Sequence, residues 1–180
     1  MLRKLAVAVV AVVLLPGLAR AQAPSKDHQL FDKVAQSVLT YARFTIFDQV
    51  SADVDNGVVT LTGKVTQPYK VKDIASRVSR VAGVTEVHNQ LTVLPVSIFD
   101  DQLRYVLARR IYGNSAFWTY GIMVNPPIHI IVENGHVTLT GVVNSKVERM
   151  LAWSLVSGTF GVFSVDNELK TDAEMKALLG

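Results

Sequence analysis

The stretch NGVVTLTG at Asn56–Gly63 returns as NGHVTLTG at Asn134–Gly141. Asn-Gly is the strongest short hairpin signal, because both residues tolerate positive φ. The Val-Thr-Leu-Thr that follows alternates as a half-buried strand does. A two-residue turn at Asn56-Gly57 pairs Val54 with Val59 and Ala52 with Leu61 on one face, leaving Asp53, Asp55, Thr60 and Thr62 on the other. The second copy puts Ile130, Val132, Val137 and Leu139 inward and Glu133, His136, Thr138 and Thr140 outward. The repeated phrase is thus a hairpin plus the glycine that ends its second strand.

The likeness runs beyond the hairpin. At an offset of 78, Val65 falls on Val143, Gly83 on Gly161, Val87 on Val165, Asn89 on Asn167 and Leu91 on Leu169. Upstream the offset is 73: Leu30, Val34 and Val38 fall on Leu103, Leu107 and Ile111, each set spaced as one helical face. The second copy therefore carries five extra residues between its first helix and first strand. Two copies are too few for a solenoid, so the pattern predicts two tandem small domains. Each reads helix-strand-strand-helix-strand, an α+β fold with helices on one face of a three-stranded sheet. The second helices are expected over residues 67–82 and 145–160, ended by Gly83 and Gly161 as left-handed caps. The last strands follow at 84–94 and 162–169. The predicted domains are 22–95 and 101–171. The linker is 96–100, with Asp100-Asp101 capping the next helix, and the tail 172–180 is a short helical or frayed end.

The chain opens with Arg3 and Lys4, an apolar run from Leu5 to Leu15, Pro16-Gly17 and Ala19-Arg20-Ala21. This is the pattern of a secretory signal peptide over 1–21, cleaved near Ala21; the run is short of the ~20 residues that cross a bilayer. No cysteine is available for a lipid anchor or a disulfide. Of 18 basic residues, Arg3, Lys4 and Arg20 leave with the leader, so 15 remain against 15 acidic ones. A neutral mature chain lacks the concentrated basic face that nucleic acid demands.

A unit of helix, hairpin, helix and strand, carrying NG(V/H)VTLTG and then Gly-Val-x-x-Val-x-Asn, resembles the BON domain. Two such units behind a signal peptide resemble the double-BON periplasmic proteins. The resemblance implies a non-catalytic module that engages phospholipid membranes or envelope partners under osmotic or envelope stress, without a cofactor. Some members are lipoproteins; this chain lacks the cysteine for that.

The residues themselves show little chemistry. His28, His88, His129 and His136 stand at no metal-ligand spacing, no serine lies in a nucleophile-elbow context, and no Gly-rich loop opens a helix. His136 faces Glu133 across the turn as a surface pair. Neither an enzyme nor a metal site is expected.

The differences between the copies carry more. Where copy one has Asp32, Gln36 and Leu39, copy two has Tyr105, Arg109 and Tyr112, one stripe opposite the core face. The inserted segment SAFWTYGIMVNPP adds Phe117, Trp118, Tyr120, Ile122 and Met123, with Arg104 and Arg110 as flanking basic residues. These either meet a bilayer at headgroup level or fold back over a small core. On the second helix, Lys72, Asp73 and Arg77 become Met150, Leu151 and Leu155, while Ala152, Trp153 and Val156 are expected in the core. Such a helix is buried on more than one side: its outer face with Met150, Leu151 and Leu155 meets domain 1, another protomer or a membrane, most simply domain 1. The expectation is an exported periplasmic protein that binds phospholipid surfaces through domain 2. The rival is an envelope protein adaptor or holdase using the same stripes. A third reading, an ion-binding sensor, rests only on His136, Glu133 and scattered carboxylates.

Overall fold

The computed structural model describes residues 26–179; the expected leader, 1–21, lies outside them. Domain 1 comprises α1 (Lys26–Leu39), β1 (Gln49–Asp55), β2 (Val58–Val65), α2 (Pro68–Val78) and β3 (Glu86–Val93). Domain 2 repeats this as α3 (Ile98–Tyr112), β4 (Ile128–Glu133), β5 (His136–Val143), α5 (Lys146–Ser157) and β6 (Ser164–Asn167). The short helix α4 (Trp118–Gly121) occupies the insertion, and β7 (Lys170–Thr171) and α6 (Asp172–Leu179) follow β6. In each sheet the hairpin strands are antiparallel, and the third strand joins the second in parallel, giving orders β1-β2-β3 and β4-β5-β6. β7 adds a short fourth strand against β5.

The hairpin register is the one the sequence dictates: Val54 opposes Val59, Ala52 opposes Leu61, and Glu133 opposes His136. Asn56 and Asn134 take φ of 50° and 52°, and Gly57 and Gly135 take 87° and 76°, the positive pair a type I′ turn requires. The second glycine of the phrase does more than end a strand, because β2 and β5 run two residues past it. A Cβ on Gly63 would stand 2.2 Å from the Gln49 carbonyl oxygen, and one on Gly141 1.8 Å from that of Pro127. Only glycine lets the partner strand approach so closely. The repeated asparagines also have a shared task. The Asn89 side-chain amide donates to the Val71 carbonyl (3.0 Å) and that of Asn167 to the Arg149 carbonyl (3.0 Å). Each ties the last strand to the helix before it.

Two local expectations are corrected. α2 and α5 stop at Val78 and Ser157, with Ser79 and Gly158 as C-caps; Gly83 and Gly161 keep positive φ but lie in the turn into the next strand. Helix α3 is capped not by Asp100-Asp101 but by Ser97, whose hydroxyl accepts from the Asp100 amide (3.2 Å). The buried Asp100 carboxylate instead accepts from the amides of Asn134 (2.8 Å) and Gly135 (2.9 Å), clamping the hairpin turn to the helix. The tail forms the short helix α6 and opens with a capping box: the Glu174 amide donates to the Thr171 hydroxyl, and the Glu174 carboxylate accepts from the Thr171 amide.

Two separate cores form. Leu30, Val34, Val38, Val59, Leu61, Ile74 and Val78 build the first; Leu103, Leu107, Ile111, Ile130, Leu139, Ala152 and Val156 belong to the second. The domains meet through the segment before β1. Ile46 and Phe47 pack on the core of domain 2, and the Ile130 amide donates to the Ile46 carbonyl (2.7 Å). His129 Nδ1 contacts the Asp48 carbonyl (2.6 Å), and Lys64 pairs with Glu133.

Candidate functional site

That connecting segment is held from within domain 1 by Asp48, a fully buried carboxylate. It accepts from the amide and hydroxyl of Thr45 (2.8 Å each), the amide (2.8 Å) and hydroxyl (2.9 Å) of Thr66, and the Lys70 ammonium (2.6 Å). Burial pushes the Asp48 carboxyl upward, but the bonds from Lys70 and Thr66 outweigh it and hold the group below its ordinary value. His129 is shifted down because burial penalises its charged form, only partly offset by the Asp48 carbonyl.

Copy two solves the same problem with other residues. Glu148 replaces Lys70 at the matching position, and its carboxylate accepts from the Tyr120 hydroxyl (2.7 Å) and the Asn144 amide (2.9 Å). Tyr120 comes from the insertion, and its hydroxyl also accepts from the Asn144 amide (3.1 Å). Burial, with Glu148 beside it, raises that hydroxyl to about 12. Phe117 is fully buried and stacks on Tyr120 at 6.0 Å. So Phe117 and Tyr120 are not surface contacts: this part of the insertion folds back onto its own core. Trp118, Ile122 and Met123 remain exposed beside them.

The stripe Tyr105, Arg109, Tyr112 does not act as one surface either. The Tyr112 hydroxyl donates to the Ile128 carbonyl and accepts from the Ile128 amide (3.2 Å); burial raises its pKa. Tyr105 stays exposed, but its ring meets Phe47 edge-on at 5.4 Å. Arg109 is exposed. Arg104 is buried: it pairs with Asp101 and donates to the Val132 carbonyl (2.6 Å), so it offers no charge to a ligand. Arg110 is exposed and donates to the Thr159 hydroxyl (2.9 Å). Together Tyr112, the Ile46 carbonyl and Arg104 occupy backbone groups of Ile128, Ile130 and Val132 along the outer edge of β4. An open strand edge invites unwanted pairing, and these residues block it.

The second helix is corrected as well. Leu151 and Leu155 pack on the core of domain 2 itself, not on domain 1. In copy one their counterpart Arg77 bridges to α1 through the Ser37 carbonyl (3.0 Å), and Asp73 accepts from the Tyr41 hydroxyl (2.6 Å) in the turn just after that helix. Copy two exchanges those polar bridges for leucines. Met150 stays exposed, and Trp153, expected inside, is 40% exposed beside Val147 and Met150, because the buried residues of α5 are Ala152 and Val156, with half-buried Glu148 one turn before them. Glu133 and His136 also part company. Glu133 turns to Lys64, while His136 Nδ1 contacts the Ser164 hydroxyl (2.7 Å). Among the described residues no three His, Cys, Asp or Glu side chains converge to hold a metal.

One surface escaped the sequence reading. Around the Asn134-Gly135 turn, Phe163 lies against Gly135 with its ring 6.1 Å from that of His136. Phe160 precedes it in the same turn, and Ile98 and Phe99 flank Asp100, which bonds the hairpin. Phe99 is 84% exposed, Phe163 77% exposed, Ile98 73% exposed, and Phe160 fully so. Copy one has Lys26, Ala82 and Thr85 where copy two has Phe99, Phe160 and Phe163. The offsets that align the repeats contained this signal.

A family model described as the BON domain matches residues 26–95 and 123–173. The chain belongs to the BON domain family. The two matched segments contain both hairpins and both second helices; in the second BON unit the match begins after α3, yet α3 repeats α1 in burial and place. No curated protein matches this chain. Two solved structures of CdsD, a structural protein of the type III secretion system of Chlamydia trachomatis, are similar at 12% identity, one of them of its C-terminal domain. They cover 83% and 82% of this chain and 97% and 98% of their own, with a TM-score of 0.32 in each case. A likeness that slight carries no functional argument.

Proposed function

We propose that this double-BON chain is an exported, non-catalytic protein that binds phospholipid surfaces through the hairpin end of domain 2. The observation that supports this is the set Ile98, Phe99, Phe160 and Phe163, exposed together where domain 1 carries Lys26, Ala82 and Thr85 in place of the three phenylalanines. Burying one such side chain contributes about 1.5–3 kcal/mol of gross transfer free energy. Four at one end suit reversible insertion without a covalent anchor. Arg110, bonded beside Phe160 through Thr159, supplies a cation at headgroup depth. Domain 1 and the Ile46 contact serve as scaffold.

A second reading, an adaptor for an envelope protein, has its own support. Val147, Met150 and Trp153 form an exposed row on α5, and Trp118, Ile122 and Met123 lie exposed on the insertion. The two readings separate by sedimentation with phosphatidylethanolamine–phosphatidylglycerol vesicles. Phe160→Ser with Phe163→Ser should lower vesicle binding at least tenfold, and Met150→Lys with Trp153→Lys should leave it unchanged. The reverse pattern moves the lipid-binding surface to α5, and no vesicle binding by the parent chain moves the function to a protein partner.

A further inference from the structure

Between the two BON units a cleft of about 630 Å³ opens to solvent. Leu39, Phe44 and Val50 of domain 1 face Pro127, Val142 and Met175 across it. Sites for single small ligands span about 300–1,000 Å³, are mostly apolar, and favour domain junctions; this cleft meets all three conditions. At its rim stand Glu168 and Lys170, both exposed. Two residues apart in sequence and separated by the buried Leu169, both line the same cleft. Among the described residues neither is in an ion pair. An apolar floor with one free cation and one free anion at its mouth complements a hydrocarbon chain whose head carries phosphate and ammonium.

We infer that the interdomain cleft is a binding site for a monoacyl zwitterionic lipid, a lysophospholipid with an ethanolamine head. The tail lies along Leu39, Phe44 and Val142, the phosphate meets Lys170 and the ammonium meets Glu168. One chain is specified rather than two by the cost of extraction. Each buried CH₂ adds to a lipid's hold on the bilayer, and a single chain gives only marginal, reversible anchoring. A diacyl lipid would stay in the membrane, whereas a monoacyl one exchanges into a cleft. This site is separate from the hairpin end of domain 2 and does not depend on it.

The test is titration of the mature chain with lysophosphatidylethanolamine below its micelle-forming concentration, followed by calorimetry and native mass spectrometry. The expected result is saturation at one lipid per chain, at least tenfold tighter than for a fatty acid of equal length. Leu39→Asp places a charge on the wall at an exposed helix end, where it spares the fold, and should weaken binding at least tenfold. Lys170→Gln should remove the preference over the fatty acid. Phe160→Ser, at the membrane end, should change neither. Non-saturating uptake, equal affinity for the fatty acid, or a Leu39→Asp chain that binds as the parent does each overturns the assignment.

Discussion

Replacing Asp48 by alanine probes how the connecting segment is held. Asp48 is fully buried and the Lys70 side chain is 4% exposed. Removing the carboxylate leaves the ammonium with only the Thr66 hydroxyl at 2.8 Å and strands four Thr45 and Thr66 donors. Breaking a buried pair from one side costs about 3–5 kcal/mol, a large share of the ~5–15 kcal/mol that holds a domain folded. The reciprocal change, Lys70→Met, should cost less, because Asp48 keeps its four bonds to Thr45 and Thr66. Equilibrium urea unfolding followed by circular dichroism measures both. Trp118 and Trp153, the two tryptophans, lie in domain 2, so their fluorescence reports that domain separately. Asp48→Ala should shift the dichroism transition strongly and the fluorescence transition more weakly, through loss of the Ile46 and His129 contacts. A loss below about 1 kcal/mol, the worth of an ordinary hydrogen bond, or a Lys70→Met chain less stable than Asp48→Ala, would refute the argument.

Tyr112→Phe keeps the ring but uncovers the carbonyl and amide of Ile128. The cost should be about 1–3 kcal/mol, read by tryptophan fluorescence in urea, with vesicle binding unchanged. Acid should loosen the domain junction before it unfolds the protein. His129 has a folded pKa lowered from 6.5, so its stabilisation is complete above that value and is lost as pH falls toward the folded pKa. Asp48, also lowered, loses its contribution only below the ordinary carboxylate range. Urea midpoints should therefore fall in two stages between neutral pH and pH 3, and His129→Gln should remove the first.

The hairpins and their register were legible residue by residue because Asn-Gly fixes the turn and period two fixes the faces. The five-residue insertion was legible too, from the change of offset alone. Faces outside the cores were harder. Tyr105, Arg109 and Tyr112 share a helical stripe, but a stripe does not say what lies above it; β4 and Phe47 occupy two of its three positions. Arg104 reads as a surface cation, yet its long stem carries the guanidinium to a strand edge. Leu151 and Leu155 looked surplus because their counterparts in copy one are charged. Those counterparts turn out to tie α2 to α1 and to the turn after it, a role leucine fills by packing. Gly83 and Gly161 were right in conformation and wrong in place, since positive φ serves a turn as well as a helix cap. The cluster at Phe99, Phe160 and Phe163 stayed hidden because its members lie far apart in sequence and converge only through Asp100 and the Gly135 turn.

The contrast between Lys70 and Glu148 bears on how the chain reaches its fold. Tandem near-identical units are prone to assembling from each other's parts, and here the two hairpins share most of their letters. Were the first hairpin to seat itself on the helix of the second unit, Asp48 would meet Glu148, two carboxylates in one buried place. In the converse exchange Lys70 would find Tyr120 and no counter-charge. Each helix thus rejects the wrong hairpin at its first turn, so the sequence that duplicated the fold also carries a checksum for assembling it correctly.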